Sequence, residues 1–153
     1  MSKPREKIVV VCMLDSIHSA RWLAQFTNEN FDFLLFPSSP HRRIHKMLKF
    51  LIHGSFPSTY RIVSMGALLG LPLWVIDKYS NNFFRGNWLQ SVIKKHKPTT
   101  LHALELQNAG YICLFALSKQ RPSGLKFIAT NWGSDIFWFQ RWPRHEAKLR
   151  ALL

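Results

Sequence analysis

The chain has 153 residues, of which 47% are hydrophobic and 14% aromatic, a size and composition that fit one ordinary domain and exclude a disordered polymer. Its 21 lysines and arginines outweigh 8 carboxylates to give a formal charge of +13, which points to polyanions, anionic lipid or phosphate-bearing substrates as partners without choosing among them. Cys12 and Cys113 stand far apart in apolar runs, so they read as buried thiols of a reducing, cytoplasmic compartment and not as a disulfide framework or a zinc site.

In chain order, the charged Lys3 to Lys7 leads into Ile8 to Leu14, an apolar run that Asp15 interrupts too early for a secretory signal. Rich in β-branched residues, it reads as a central parallel strand buried on both faces. A polar turn over Asp15 to His18 follows, and Ser19 is placed to cap a helix with Trp22, Leu23 and Phe26 on one side. Phe31 to Phe36 predicts a second strand, closed by Pro37, and Arg42 to His53 a helix. Thr59 to Leu69 has helical character, and Leu71 to Ile76 reads either as a third strand or as more of that helix. The apolar neighbourhood from Ile62 to Ile76 is broken by Ser64, Gly66, Gly70 and Pro72, and falls short of the roughly 20 residues of a membrane span.

Trp88 to His96 predicts a helix ended by Lys97-Pro98, Thr100 to Leu104 a strand, and Ala109 to Lys119 a helix ended by Pro122 and Gly124. Lys126 to Thr130 is the last strand, and a basic amphipathic stretch follows the turn beyond it. Alternating strands and helices without internal repeats predict an α/β fold, a parallel sheet with right-handed crossovers. Ligands of open parallel sheets sit beyond the carboxyl ends of the strands, so the loops beginning at Asp15, Glu105 and Asn131 are expected along one rim. In the last of these, Gly133 permits a close backbone approach while Asn131 and Asp135 offer hydrogen bonds.

Four segments in this order and spacing, Ser16 to Trp22, Lys97 to Glu105, Ala109-Gly110-Tyr111 and Thr130 to Ile136, resemble the N-terminal half of a family-4 glycosyltransferase of the GT-B type. The resemblance implies that residues 1–153 form one Rossmann-like, acceptor-side domain, a single half of a two-domain architecture. The donor-binding domain has no counterpart before Leu153, so the chain alone is expected to be incomplete as an enzyme. The implied reaction moves a sugar from a nucleotide-sugar donor to a glycan or lipid-linked acceptor. Glu105 and Asp135 are the implied catalytic carboxylates. Asp15, Ser16, His18, Arg21, His102 and the pair Gln107 and Asn108 are implied to bind substrate, together with the turn residues Asn131, Trp132, Gly133 and Ser134. No Asp-X-Asp pair occurs, and neither metal nor other cofactor is expected. Leu104 stands where many relatives carry a second histidine after His102, and Trp132 where a histidine often precedes the Gly-Ser-Asp turn.

Several residues carry two readings. His102 suits either substrate contact or a core histidine bonded to its neighbours. Asp135 suits ligand contact or capping of the next helix, Trp132 sugar stacking or packing, and Arg21 phosphate contact or a solvated helix face. Arg42 to His53 carries cations beside an apolar stripe, which fits contact with an anionic membrane at its inner face or an ordinary core-facing helix. His41 and His45 have zinc-like spacing without a partnering glutamate or a third ligand, which is read as chance. The rival class is a nucleic-acid or partner-binding module, suggested by Phe83, Phe84 and Trp88 beside Arg85. The scatter of basic residues and the lack of a recognition motif disfavour nucleic acid.

Overall fold

Short apolar runs, Ile8 to Cys12 and Phe33 to Pro37, too short for a buried helix and rich in Val, Leu and Phe, form the cores of the two central strands. The computed structural model describes residues 5–39, 43–63 and 70–152. Strand β1 (Glu6–Cys12) pairs in parallel with β2 (Phe31–Pro37) on one side and with β4 (Thr100–Ala103) on the other. Outside them lie β3 (Thr59–Ile62), against β2, and β5 (Lys126–Ala129), against β4, so the order is β3-β2-β1-β4-β5 with every pair parallel. The α/β, Rossmann-like expectation is met.

Alternation along the strands sends side chains to two cores. Val9, Val11, Leu34, Phe36, Leu101 and Ala103 face helices α4 (Phe83–His96) and α5 (Tyr111–Lys119). Val10, Cys12, Phe33 and Leu35 face α1 (Ile17–Ala24) and α2 (Lys46–His53). Helix α3 (Gly70–Tyr79) precedes α4, and a single π-helical turn, Leu106–Gly110, carries β4 into α5. After β5 come the short α6 (Ser134–Phe139) and α7 (Pro143–Leu152), which pack a third apolar cluster of Leu106, Tyr111 and Leu149 over that turn.

Several boundaries differ from expectation for local reasons. Ser16, not Ser19, caps α1, accepting from the His18 backbone N–H at 3.2 Å, while Ser19 is buried inside the first turn. The helix read from Arg42 begins at Lys46, with His45 Nδ1 accepting from Met47 N–H at its start; Arg42 and His41 lie outside the described residues. Thr59–Ile62 is a strand, not a helix, because Asp32 on β2 pairs across to Thr59 and Arg61; residues 64–69 lie outside the described set. Leu71 to Ile76 belongs to a helix, α3. Helix α4 starts at Phe83, five residues before Trp88, because Asp77 receives the first backbone N–H groups of that turn.

Candidate functional site

Between β1 and β4 the chain's direction across the sheet reverses: β2 and β3 extend to one side of β1, β4 and β5 to the other. The loops leaving β1 and β4 therefore diverge to opposite faces and open a crevice at their carboxyl ends. That crevice is a cleft of about 460 Å³. Ser16 and His18 line it from the first loop, Glu105, Gln107 and Asn108 from the second, and Trp132 from the third.

The N-terminus of α1 opens onto this cleft, so backbone N–H groups that have no intrahelical acceptor give its wall a partial positive charge. Trp132 and His18 place their rings 5.7 Å apart, and the Trp132 indole N–H donates to the carbonyl of Leu104. The result is an aromatic wall, its two rings tilted by 43°, anchored to the end of β4. Opposite in character is Glu105, 6% exposed, whose Oε1 accepts the Ser38 hydroxyl at 2.6 Å. Its negative charge is felt at the end of β1. Burial first, and then the Glu105 carboxylate, push the Cys12 thiol up to about 12 against the opposing hydrogen bond of Ser19.

Behind Glu105 runs a chain of buried polar contacts. The Ser38 carbonyl accepts from Arg85 Nη1 at 2.5 Å, and Arg85 Nε donates to Asp77 at 2.7 Å. Asp77 is 1% exposed and also accepts the backbone N–H groups of Phe84 and Arg85. A buried ion pair is tolerable when further hydrogen bonds satisfy its remaining atoms, and here they do. The cleft's carboxylate is thus braced from α3 and α4. Ser38 and Asp77 are absent from the sequence reading, and Arg85 enters it only in support of the rival nucleic-acid class; it is 5% exposed and turned inward. A charged residue at an inward position of α4, between buried Asn82 and Leu89, is the signal that pointed there.

The other expected site residues are distributed around the cleft. His102 does not line it: on β4, its ring meets Trp22 edge-on at 4.6 Å and its Nε2 lies 2.7 Å from Thr130 Oγ1. Burial pushes its pKa down to about 4, so the imidazole is neutral at pH 7 and serves as a core histidine. Arg21 is exposed in the last turn of α1, away from the helix N-terminus. Asp15 is half-buried in the first loop. Asn131 turns back on itself, its Oδ1 accepting from Gly133 N–H at 2.8 Å, and Gly133 takes φ +81° with open space around it, as a residue without Cβ allows. Ser134 and Asp135 occupy the first turn of α6, and their side chains lie outside the described set.

Among the described residues, no three His, Cys, Asp or Glu side chains converge as a metal site, and no helix is long and apolar enough to cross a membrane. The apolar stripe of α2 is buried, with Leu48 and Leu51 in the core and Lys46, Lys49 and Phe50 outside. No protein-family model, curated protein or solved structure matches the chain.

Proposed function

We propose that this chain is the acceptor-side half of a glycosyltransferase of the family-4, GT-B type, which works with a second, donor-binding domain to transfer a sugar from a nucleotide-sugar to a glycan or lipid-linked acceptor. The observation that carries the reading is the cleft at the β1 and β4 ends, built from the same segments on which the resemblance rests. Sugar transfer develops positive charge on the ring and negative charge on the leaving phosphate, so a transferase needs charges and dipoles fixed in advance. Glu105, braced by Ser38, supports such a role toward the acceptor hydroxyl and the reacting carbon; the exposed N-terminus of α1 supports one toward the donor phosphates. Trp132 and His18 offer the apolar face on which a sugar ring stacks. Asp135 is assigned as a second carboxylate on the resemblance, at the start of α6. Exposed Lys46, Lys49 and Phe50 on α2 support contact with the inner, anionic face of a membrane that carries the acceptor.

The test is an NMR titration of the chain with oligosaccharides and nucleotide-sugars. Saturable shifts at the Ser16, His18 and Asn108 amides and the Trp132 indole are expected, with Trp132→Ala weakening binding by about tenfold, near the 1.4 kcal/mol per decade of a lost stacking contact. Silence of the cleft toward every sugar at millimolar concentration, together with a salt-sensitive mobility shift on nucleic acid, would overturn the reading in favour of a nucleic-acid module.

A further inference from the structure

Beside the cleft, and sharing Gln107, Asn108 and Phe139 with it, lies a second hollow of about 240 Å³. Its walls gather basic side chains from distant elements: Lys78 at the end of α3, and Arg144, His145 and Lys148 from the first turns of α7. Arg85 also lines it, and the one carboxylate in the lining, Asp77, has both oxygens engaged by Arg85 and by backbone N–H groups of α4. Arg144 donates to the carbonyl of Lys78 at 3.3 Å, and Lys148 Nζ sits 4.7 Å over the Tyr111 ring. Neither makes an ion pair with a carboxylate among the described residues. Glu146, the acid in the same turn, faces Arg150 instead, at 2.8 Å.

The cations crowd one another. Burial and the charge of Arg144 hold the Lys148 amine below its usual range, and burial with Lys148 and Arg144 does the same to His145. The His145 ring is held in place by Tyr111, whose hydroxyl lies 2.9 Å from Nδ1. Like charges brought together in a partly desolvated hollow destabilise each other until an anion joins them. The ten-residue α7 adds its N-terminal dipole on the same side, with Pro143 at its first position.

We propose that this hollow is a phosphate-binding site, placed so that a sugar phosphate or a lipid headgroup held there by its phosphate extends into the adjoining cleft. The inference rests on the transferase reading only for the sugar in the cleft; the anion site follows from the cations Lys78, Arg144 and Lys148, the His145 ring beside them, and their geometry. Its test is a two-dimensional NMR titration of the chain with inorganic phosphate, hexose 1-phosphate and vesicles of phosphatidylcholine doped with phosphatidylinositol. Saturable phosphate-induced shifts are expected at Arg144, His145 and Lys148, with Arg144→Gln/Lys148→Gln lowering affinity at least tenfold while its thermal melt is unchanged. A charge-matched control, Lys94→Gln/Lys95→Gln in the exposed last turn of α4, is expected to bind phosphate as the parent chain does. Tighter binding of hexose 1-phosphate, with added shifts at Ser16 and Trp132, identifies a soluble phosphorylated acceptor; broadening at the same residues by the doped vesicles alone identifies a lipid one. No saturable shift in the hollow, or equal losses in the two double variants, would overturn the site. Phosphate shifts in the hollow with a cleft that stays silent to every sugar would leave the site standing and remove the transferase reading.

Discussion

Removal of either partner of the Asp77–Arg85 pair leaves a bare charge beneath α4, and the free backbone N–H groups of Phe84 and Arg85 lose their acceptor as well when Asp77 goes. Breaking one side of a buried pair costs about 3–5 kcal/mol. Asp77→Asn and Arg85→Met are therefore expected to lose stability on that scale in urea unfolding, and Arg85→Lys to recover little, because a single ammonium cannot reach Asp77, Asn82 and the Ser38 carbonyl together. Full rescue by lysine would contradict the geometry. His102 makes a pH prediction. Its imidazole titrates near 6.5 when unfolded and about 4 when folded, so on acidification the unfolded chain takes up the proton first. The native state is thus expected to keep its stability above pH 6.5 and lose on the order of 2 kcal/mol between there and pH 4. His102→Gln should flatten that slope, measured as unfolding free energy at pH 7 against pH 4.5. Such a role for His102 was open in the sequence, where its apolar neighbours suited a core position; the partner Thr130, 28 residues on, was not.

Helices α4 and α5 meet at Gly86, where a Cβ would fall 2.3 Å from Cδ1 of Phe115. Gly86→Ala gains roughly 1 kcal/mol of helix propensity but overpacks a tight crossing at a cost of about 1–3 kcal/mol, so a net loss is expected in thermal unfolding. In a Phe115→Ala background, which lacks the two nearer atoms, the added cost of Gly86→Ala is expected to shrink. Element by element, legibility followed length and continuity. Strands β1 and β2 were plain because four consecutive residues in each are buried on both faces and carry no helical period. Strand β3 was misread as helix because its four residues owe their conformation to one neighbour, β2, through Asp32. The start of α4 was missed for the same kind of reason, since its first turn is capped by Asp77, from the preceding helix.

As a whole, the molecule carries +13; among its described residues Arg61 pairs with Asp32, Arg85 with Asp77 and Arg150 with Glu146. Self-repulsion of that size destabilises the compact state, and salt screens it within about 10 Å at 0.1 M. The melting temperature is expected to rise by roughly 3–6 °C between 20 and 300 mM sodium chloride, a shift worth about 1–2 kcal/mol in a chain of this size. A flat or falling profile would mean that the charges already offset one another. The order of strands and polar loops along the chain was enough to foretell a parallel sheet with its three loops at one rim, because each signal is local: a buried run, a turn residue, a change of period. Which side chains meet there came from the fold alone. Ser38 reaches Glu105 across 67 positions and Arg85 reaches Ser38 across 47, while Lys78 and Arg144 meet from elements 66 apart. Contacts of that separation depend on how the helices cross the sheet, and no pattern within a single segment encodes it.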